Sequence, residues 1–450
     1  MANEQERFLK EIQNQLSSAL ENKELDDGYL ESATDRLSLD KSLWDHQESL
    51  AVIAQLAVRL LNVGKDYNLE AVLSLLDVLL KALPFETIIS LFPVEAIATA
   101  LQSPVPQVQS LGLKVVGKAQ PVDIIANTEL IPLCVELFAN EGSTVGVVND
   151  FEKSMTVLVT GELIRRRLLS SQVLGTLRRM LASVSLRMRL NDLLLKLFQY
   201  VKPGEIPDDL YQFDKWLDDD FWIVSTIDFY TSLLELGKNW IVDDISQSIV
   251  SLSKEFCSHE QSTAHYTLNG LLGALSRTSM ELTKQVDDES VHISIEDTDL
   301  LIMLSPEYIY EYRKDIIKSL GPLSDQNAAI YISLMGSEGA FKLAEPQFHS
   351  GYLSRCDYLN FLIFALGLTS HSYTKAYLLT SAPSIMNRIL EPGNRIIEPD
   401  SYELRRRCLS NLIQDDRELG VWKQKVFAVW RSITQGQSFR PGVEIMDTSL

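Results

Sequence analysis

The feature that most constrains this chain is a helical hydrophobic period that keeps returning. From Leu69 to Leu83, Leu69, Val72, Leu73, Leu76, Leu80 and Leu83 recur at three- and four-residue steps, while Glu70, Ser74, Asp77 and Lys81 mark the opposite side. With 3.6 residues per turn, each set lies on one face, and Pro84 closes the helix. The same unit recurs down the chain, with second helices predicted to begin near residues 68, 107, 147, 186, 221 and 262. Those intervals of about 35 to 41 residues sit at the short edge of the roughly 40–47-residue period of HEAT and armadillo arrays. No segment alternates strictly enough to make a good strand. The expected fold is all-α, a HEAT/armadillo-like α-solenoid, curved and elongated, running as one array over residues 1–450. A generic helical bundle is the competing architecture.

Two stretches break the register. Between Glu281 and Asp299 stand seven acids against the single Lys284, which predicts a solvated loop between repeats. Residues 436–450 contain Pro441 and two glycines and are expected to fray.

Charge narrows the partners. A formal net charge of −20 disfavours nucleic acid and anionic membrane surfaces and favours a basic protein partner, although it also serves to keep a long open surface dissolved. One local contrast stands out. Nine basic residues lie between Glu162 and Lys202 (Arg165, Arg166, Arg167, Arg178, Arg179, Arg187, Arg189, Lys196 and Lys202), followed by seven acids between Glu205 and Asp220. The basic stretch lacks interleaved aromatics, so mutual neutralisation of neighbouring repeats is favoured over nucleic-acid binding.

The sequence carries no recognisable catalytic signature. The six histidines (His46, His259, His265, His292, His349 and His371) form no metal-ligand pair, and no phosphate loop or nucleophile elbow occurs. No catalytic, cofactor-binding or metal-binding residue is assigned, and the chain is expected not to be an enzyme. Cys134, Cys257, Cys356 and Cys408 are widely spaced in apolar helical contexts, as expected of free thiols in a reducing compartment. The first residues lack the basic and apolar regions of a secretory signal. No apolar run reaches the roughly 18 residues of a membrane span. The expected location is cytoplasmic, with the nucleus also admitted.

Two segments carry a resemblance. Gly161-Glu162-Leu163-Ile164-Arg165-Arg166-Arg167-Leu168-Leu169 and Ser305-Pro306-Glu307-Tyr308-Ile309-Tyr310-Glu311-Tyr312-Arg313-Lys314-Asp315-Ile316 look like parts of the fungal HEAT-repeat assembly chaperone of the proteasome regulatory particle. The acidic N-terminal helix and the turn at Ala100 to Pro104 agree in order. Outside these segments the likeness is diffuse. The resemblance implies a C-shaped HEAT protein that binds the small C-terminal domain of one triple-A ATPase subunit. It would escort ATPase pairs into the base of the 26S proteasome and leave before the finished particle works. The family also carries a DNA mismatch repair label. Two other classes stay open: a HEAT adaptor for transport or a coat, and a DNA-repair-associated scaffold.

In a HEAT stack the polar faces of the second helices align along the concave wall. The predicted partner-binding strip therefore comprises Glu70, Asp77, Lys114, Asn149, Glu152, Asp192, Asp228 and Glu235, extended by Asp218, Asp219 and Asp220 at the entrance to the last helix. Its acidic balance predicts a basic patch on the partner.

Overall fold

The computed structural model describes residues 2–21, 25–63, 68–213, 219–256, 263–349, 351–391, 398–414 and 417–435. The expected frayed tail at 436–450 and Asp218 lie outside them. The chain is 79% helical, far above the roughly one-third of an average globular protein, and no strand occurs among the described residues. Two compact units form, Met1–Ser248 and Ile249–Leu450.

The first unit holds α1 (Ala2–Leu20), α2 (Asp27–Leu39), α3 (Gln47–Val63), α4 (Leu69–Ala82), α5 (Phe85–Leu91), α6 (Val94–Leu101) and α7 (Pro106–Val116). It continues through α8 (Leu130–Phe138), α9 (Val145–Leu158), α10 (Glu162–Leu168), α11 (Ser171–Met180), α12 (Val184–Phe198) and α13 (Asp220–Glu235) to the first half of α14 (Asn239–Phe256), within which the boundary falls. These helices make two layers. One row runs α4, α7, α9, α12, α13, each packed on the next; the other runs α6, α8, α11, and the pairs α6–α7, α8–α9 and α11–α12 bridge them. This is α-solenoid packing, with starts in the first row 37, 39, 39 and 36 residues apart and within two residues of the predicted ones.

Local chemistry places the starts and stops. Asn68 caps α4 by accepting from the Ala71 amide at 3.4 Å, and the helix ends at Leu83, held extended ahead of Pro84. Pro106 opens α7, where its missing N–H costs nothing. Asp219 caps α13, its carboxylate accepting from the Trp222 amide at 3.0 Å. Between layers, leucine-rich faces interlock, and Phe138 of α8 stacks on Phe151 of α9 with ring centroids 4.0 Å apart.

The second unit contains α15 (Thr263–Thr278), α16 (Met280–Val286), α17 (Thr298–Met303), α18 (Pro306–Tyr312), α19 (Lys314–Ser319), α20 (Ala328–Leu334) and α21 (Glu338–Ala344). After these come α22 (Tyr352–Arg355), α23 (Tyr358–Ser370), α24 (Ser372–Thr380), α25 (Pro383–Leu390), α26 (Pro399–Gln414) and α27 (Lys423–Gln435). Here too helices stack in rows, α15–α17–α20–α23–α26 beside α18–α21–α24. Gly273 permits the close approach of α15 and α17, since a Cβ there would lie 2.8 Å from the Met303 carbonyl oxygen.

The acidic stretch at 281–299 is not the solvated loop its composition predicts. It is helical through α16 and a π-helical turn, Asp287–Val291, before α17 begins at Thr298. The physical reason is Asp287, which is 1% exposed. Its carboxylate accepts from the Ile293 amide at 2.8 Å, the Tyr308 hydroxyl at 2.6 Å and Arg313 Nε at 2.7 Å, and Arg313 Nη2 stands 2.6 Å from its other oxygen. Burial and the adjacent Asp287 charge push the Tyr308 hydroxyl well above its ordinary pKa. Arg313 leaves helical geometry (φ −132°, ψ 43°), so the predicted helix from Ser305 to Leu320 is divided into α18 and α19.

A candidate partner-binding face

The row α4–α7–α9–α12–α13 brings most of the predicted strip residues onto five consecutively packed helices of the first unit. Glu70 lies exposed in the first turn of α4, and Asn149 lies exposed on α9. Asp220 and Glu235 are exposed at the two ends of α13, while the Asp219 carboxylate is occupied as its cap. Asp218 lies outside the described residues.

The strip is electrically uneven. Across α4, α7 and α9 the carboxylates of Asp77 and Asp150 are neutralised from within: Lys114 Nζ lies 2.6 Å from Asp77 and 3.8 Å from Asp150, and Lys81 lies 2.9 Å from Asp77. Burial pushes the Asp77 carboxyl up, but the ammoniums of Lys114 and Lys81 outweigh it and hold the group below its ordinary pKa. Lys114 therefore acts as a tie across three neighbouring helices.

At the other end the carboxylates lack such close partners. Asp192 on α12 and Asp228 on α13 form no ion pair with a described residue, and both carboxyls are pushed above their ordinary pKa. For Asp228 the cause is partial desolvation by the packed helices around it, although the side chain itself stays exposed. For Asp192 it is burial first and the charge of Glu152 on α9 second, with Lys196 offsetting part of the shift. The two flank a hollow of about 240 Å³ between α12 and α13, walled by Met188, Leu195, Phe221 and Val224. Phe221 is 79% exposed and Met188 46%.

Sequence patterning selected Asp192 and Asp228 but missed the apolar residues between them. The signal was present: Met188, Asp192 and Leu195 stand at i, i+4 and i+7 of one helix, and Phe221, Val224 and Asp228 stand at i, i+3 and i+7 of the next, so each set shares one face. Beneath the hollow, Asn191 accepts from Arg187 Nε at 3.2 Å. The Arg187 guanidinium, 3% exposed, lies 3.6 Å from the Phe213 ring centroid, and its pKa is pushed down to about 9 by burial, leaving it charged at neutral pH.

The basic stretch is largely consumed by the stack itself. Arg178 grips Asp209 through Nε at 2.6 Å and Nη2 at 3.2 Å, and Arg189 donates to the Phe138 and Asn140 carbonyls at 3.0 Å. Arg165 donates to the carbonyls of Val159 and Thr160, both at 2.8 Å, and Arg167 reaches Glu129 of the preceding repeat at 3.5 Å. Among the described residues, no three His, Cys, Asp or Glu side chains are grouped to hold a metal ion, and no helix is long and apolar enough to cross a membrane.

Comparison with known proteins gives the chain its kin. Residues 9–235 match the N-terminal domain, and residues 238–450 the C-terminal domain, of the family described as DNA mismatch repair protein HSM3. The Kluyveromyces lactis protein of that name is 28% identical over 403 residues, covering 83% of this chain and 84% of the relative. That of Saccharomyces cerevisiae is 24% identical over 410 residues, 85% of each chain, and that of Eremothecium gossypii 25% over 415 residues, 86% of each. With the two domains matched end to end, the chain belongs to the HSM3 family.

Proposed function

We propose that this chain is a protein-binding scaffold rather than an enzyme. Its task is to chaperone assembly of the regulatory-particle base of the 26S proteasome by binding the C-terminal domain of a triple-A ATPase subunit. The observation that carries the scaffold reading is the preformed row α4–α7–α9–α12–α13, whose acidic end the protein itself compensates only in part, through Lys196. A surface built of packed helices loses little ordering entropy when a partner arrives, so affinity is available without nucleotide or cofactor. The choice of partner rests on the resemblance carried by Gly161 to Leu169 and Ser305 to Ile316. Occupying the ATPase domain would block premature docking on the proteolytic core, and competition from that core would release the chaperone. The cytoplasm, with the nucleus, is the corresponding location.

The test is mass spectrometry of what co-purifies with the full chain. Base ATPase subunits and their neighbours are expected; transport or coat components in their place would reject the assignment.

A second reading follows from the name of the relatives, a scaffold associated with DNA repair. Salt-dependent binding of the full chain to duplex DNA would support it. Internal consumption of Arg165, Arg167, Arg178 and Arg189 argues against it.

A further inference from the structure

We infer that the hollow between α12 and α13 is a docking pocket for a basic–apolar segment of a protein partner. One leucine- or phenylalanine-sized side chain would seat among Met188, Leu195, Phe221 and Val224, and flanking lysines or arginines would pair with Asp192 and Asp228. The inference rests on the reading of the chain as a protein-binding scaffold and specifies the chemistry of the segment it holds.

Size comes first. At about 240 Å³ the hollow falls below the roughly 300–1,000 Å³ of sites that enclose small molecules, yet it can admit one large side chain. Exposure comes second. Large apolar residues scattered singly need no explanation, but Phe221 and Met188 open into one concavity walled by Leu195 and Val224. Anchoring of one side chain in such a pocket is how interfaces concentrate their affinity.

Charge then selects the occupant. Asp192 and Asp228 stand on either side of the pocket without an ion pair to any described residue, and Glu152 adds a third negative charge beside Asp192 that Lys196 offsets only in part. A wholly apolar segment would strip water from these carboxylates and leave them unpaired, which is costly. An acidic segment, nucleic acid or an anionic lipid surface would be repelled. A second copy of this chain would bring its own net charge of −20. A segment carrying cations beside its apolar anchor satisfies both the floor and the rim.

Three fluorescein-labelled nonapeptides of otherwise Gly-Ser sequence test this by anisotropy against the full-length chain at low salt. The first carries Phe between two Lys, the second has Glu in place of Lys, and the third has Ser in place of Phe. Only the first is expected to bind, more weakly as salt rises. The double variant Asp192→Asn/Asp228→Asn should weaken it at least tenfold, and Val224→Trp, which fills the hollow from its own wall, should do the same by a different route. Circular dichroism melting of both variants checks that they remain folded. The inference is overturned if no peptide binds, if the three bind alike, or if both variants bind the first peptide at parental strength. Failure here with ATPase subunits still co-purifying removes the pocket and leaves the chaperone reading. Peptide binding as expected without co-purifying ATPase subunits leaves the pocket and removes that partner.

Discussion

Asp287→Ala removes the acceptor on which the start of the second unit converges. Three donors lose their partner together: the Ile293 amide, the Tyr308 hydroxyl and the Arg313 guanidinium, each held at 2.6–2.8 Å. Breaking a buried charged pair from one side costs about 3–5 kcal/mol, because the surviving charge stays desolvated. Arg313 is 24% exposed and Tyr308 fully buried, so water can rescue the first but not the second. The expected loss is therefore about 3 kcal/mol, at the low end. For a unit of this size each kcal/mol moves the midpoint by about 2–4 °C, giving a fall of roughly 6–12 °C in the calorimetric transition of the second unit. Tyr308→Phe alone should cost about 1 kcal/mol. Combined with Asp287→Ala it should cost less than the sum, because the hydroxyl has already lost its acceptor. Lys284→Ala, which breaks an exposed and water-screened pair with Asp288, should leave the transition almost where it is. A fall of less than about 2 °C for Asp287→Ala, or strict additivity with Tyr308→Phe, would refute the view that this carboxylate organises the segment.

Three further outcomes are expected. Because partial desolvation raises the carboxyl pKa values of the exposed Asp192 and Asp228 in the folded chain, these groups favour the native state at low pH, and that contribution is lost as pH rises through the raised values. The Asp192→Asn/Asp228→Asn variant should therefore melt at or above the parent at pH 7, with the gap closing toward roughly pH 4, and a parent clearly more stable at pH 7 contradicts this. Gly117→Ala should cost about 1–3 kcal/mol in a denaturant titration, since the new Cβ would lie 2.5 Å from Ser154 Oγ, which is anchored to the Leu113 carbonyl at 2.9 Å. Reversing Arg165, Arg166 and Arg167 to Glu together should lower stability by about 2 kcal/mol, through lost carbonyl contacts and the lost pair with Glu129, while partner binding survives; an unchanged melting temperature with binding abolished is the opposite result.

The repeat was legible because helix period and punctuation are local properties. The steps from Leu69 to Leu83, Asn68 before them and Pro84 after them suffice to bound α4, and the same logic found its successors to within two residues. What could not be read was how one repeat meets the next. Lys114 and Asp77 are 37 residues apart, and only the packed register of α4 against α7 makes them a pair rather than two free charges. The segment from Glu281 to Asp299 failed for the same reason. Its acids were weighed as a local density, whereas Asp287 is spent on Tyr308 and Arg313, 21 and 26 residues further on. The pocket was missed because period assignment sorts residues into apolar and polar faces. Met188 and Phe221 are apolar side chains on a face otherwise read as polar.

In the first unit each helix of the row α4–α7–α9–α12–α13 leans on the one before and the one after. Such an arrangement transmits a disturbance only step by step, and each interface absorbs part of it. A ligand seated between α12 and α13 would leave Asp77 and Lys114 almost unaware of its arrival. Sites placed at different points along the row can then be filled independently, their free energies adding rather than cooperating. That property would suit the proposed scaffold, which would hold one partner steady while a second is brought alongside.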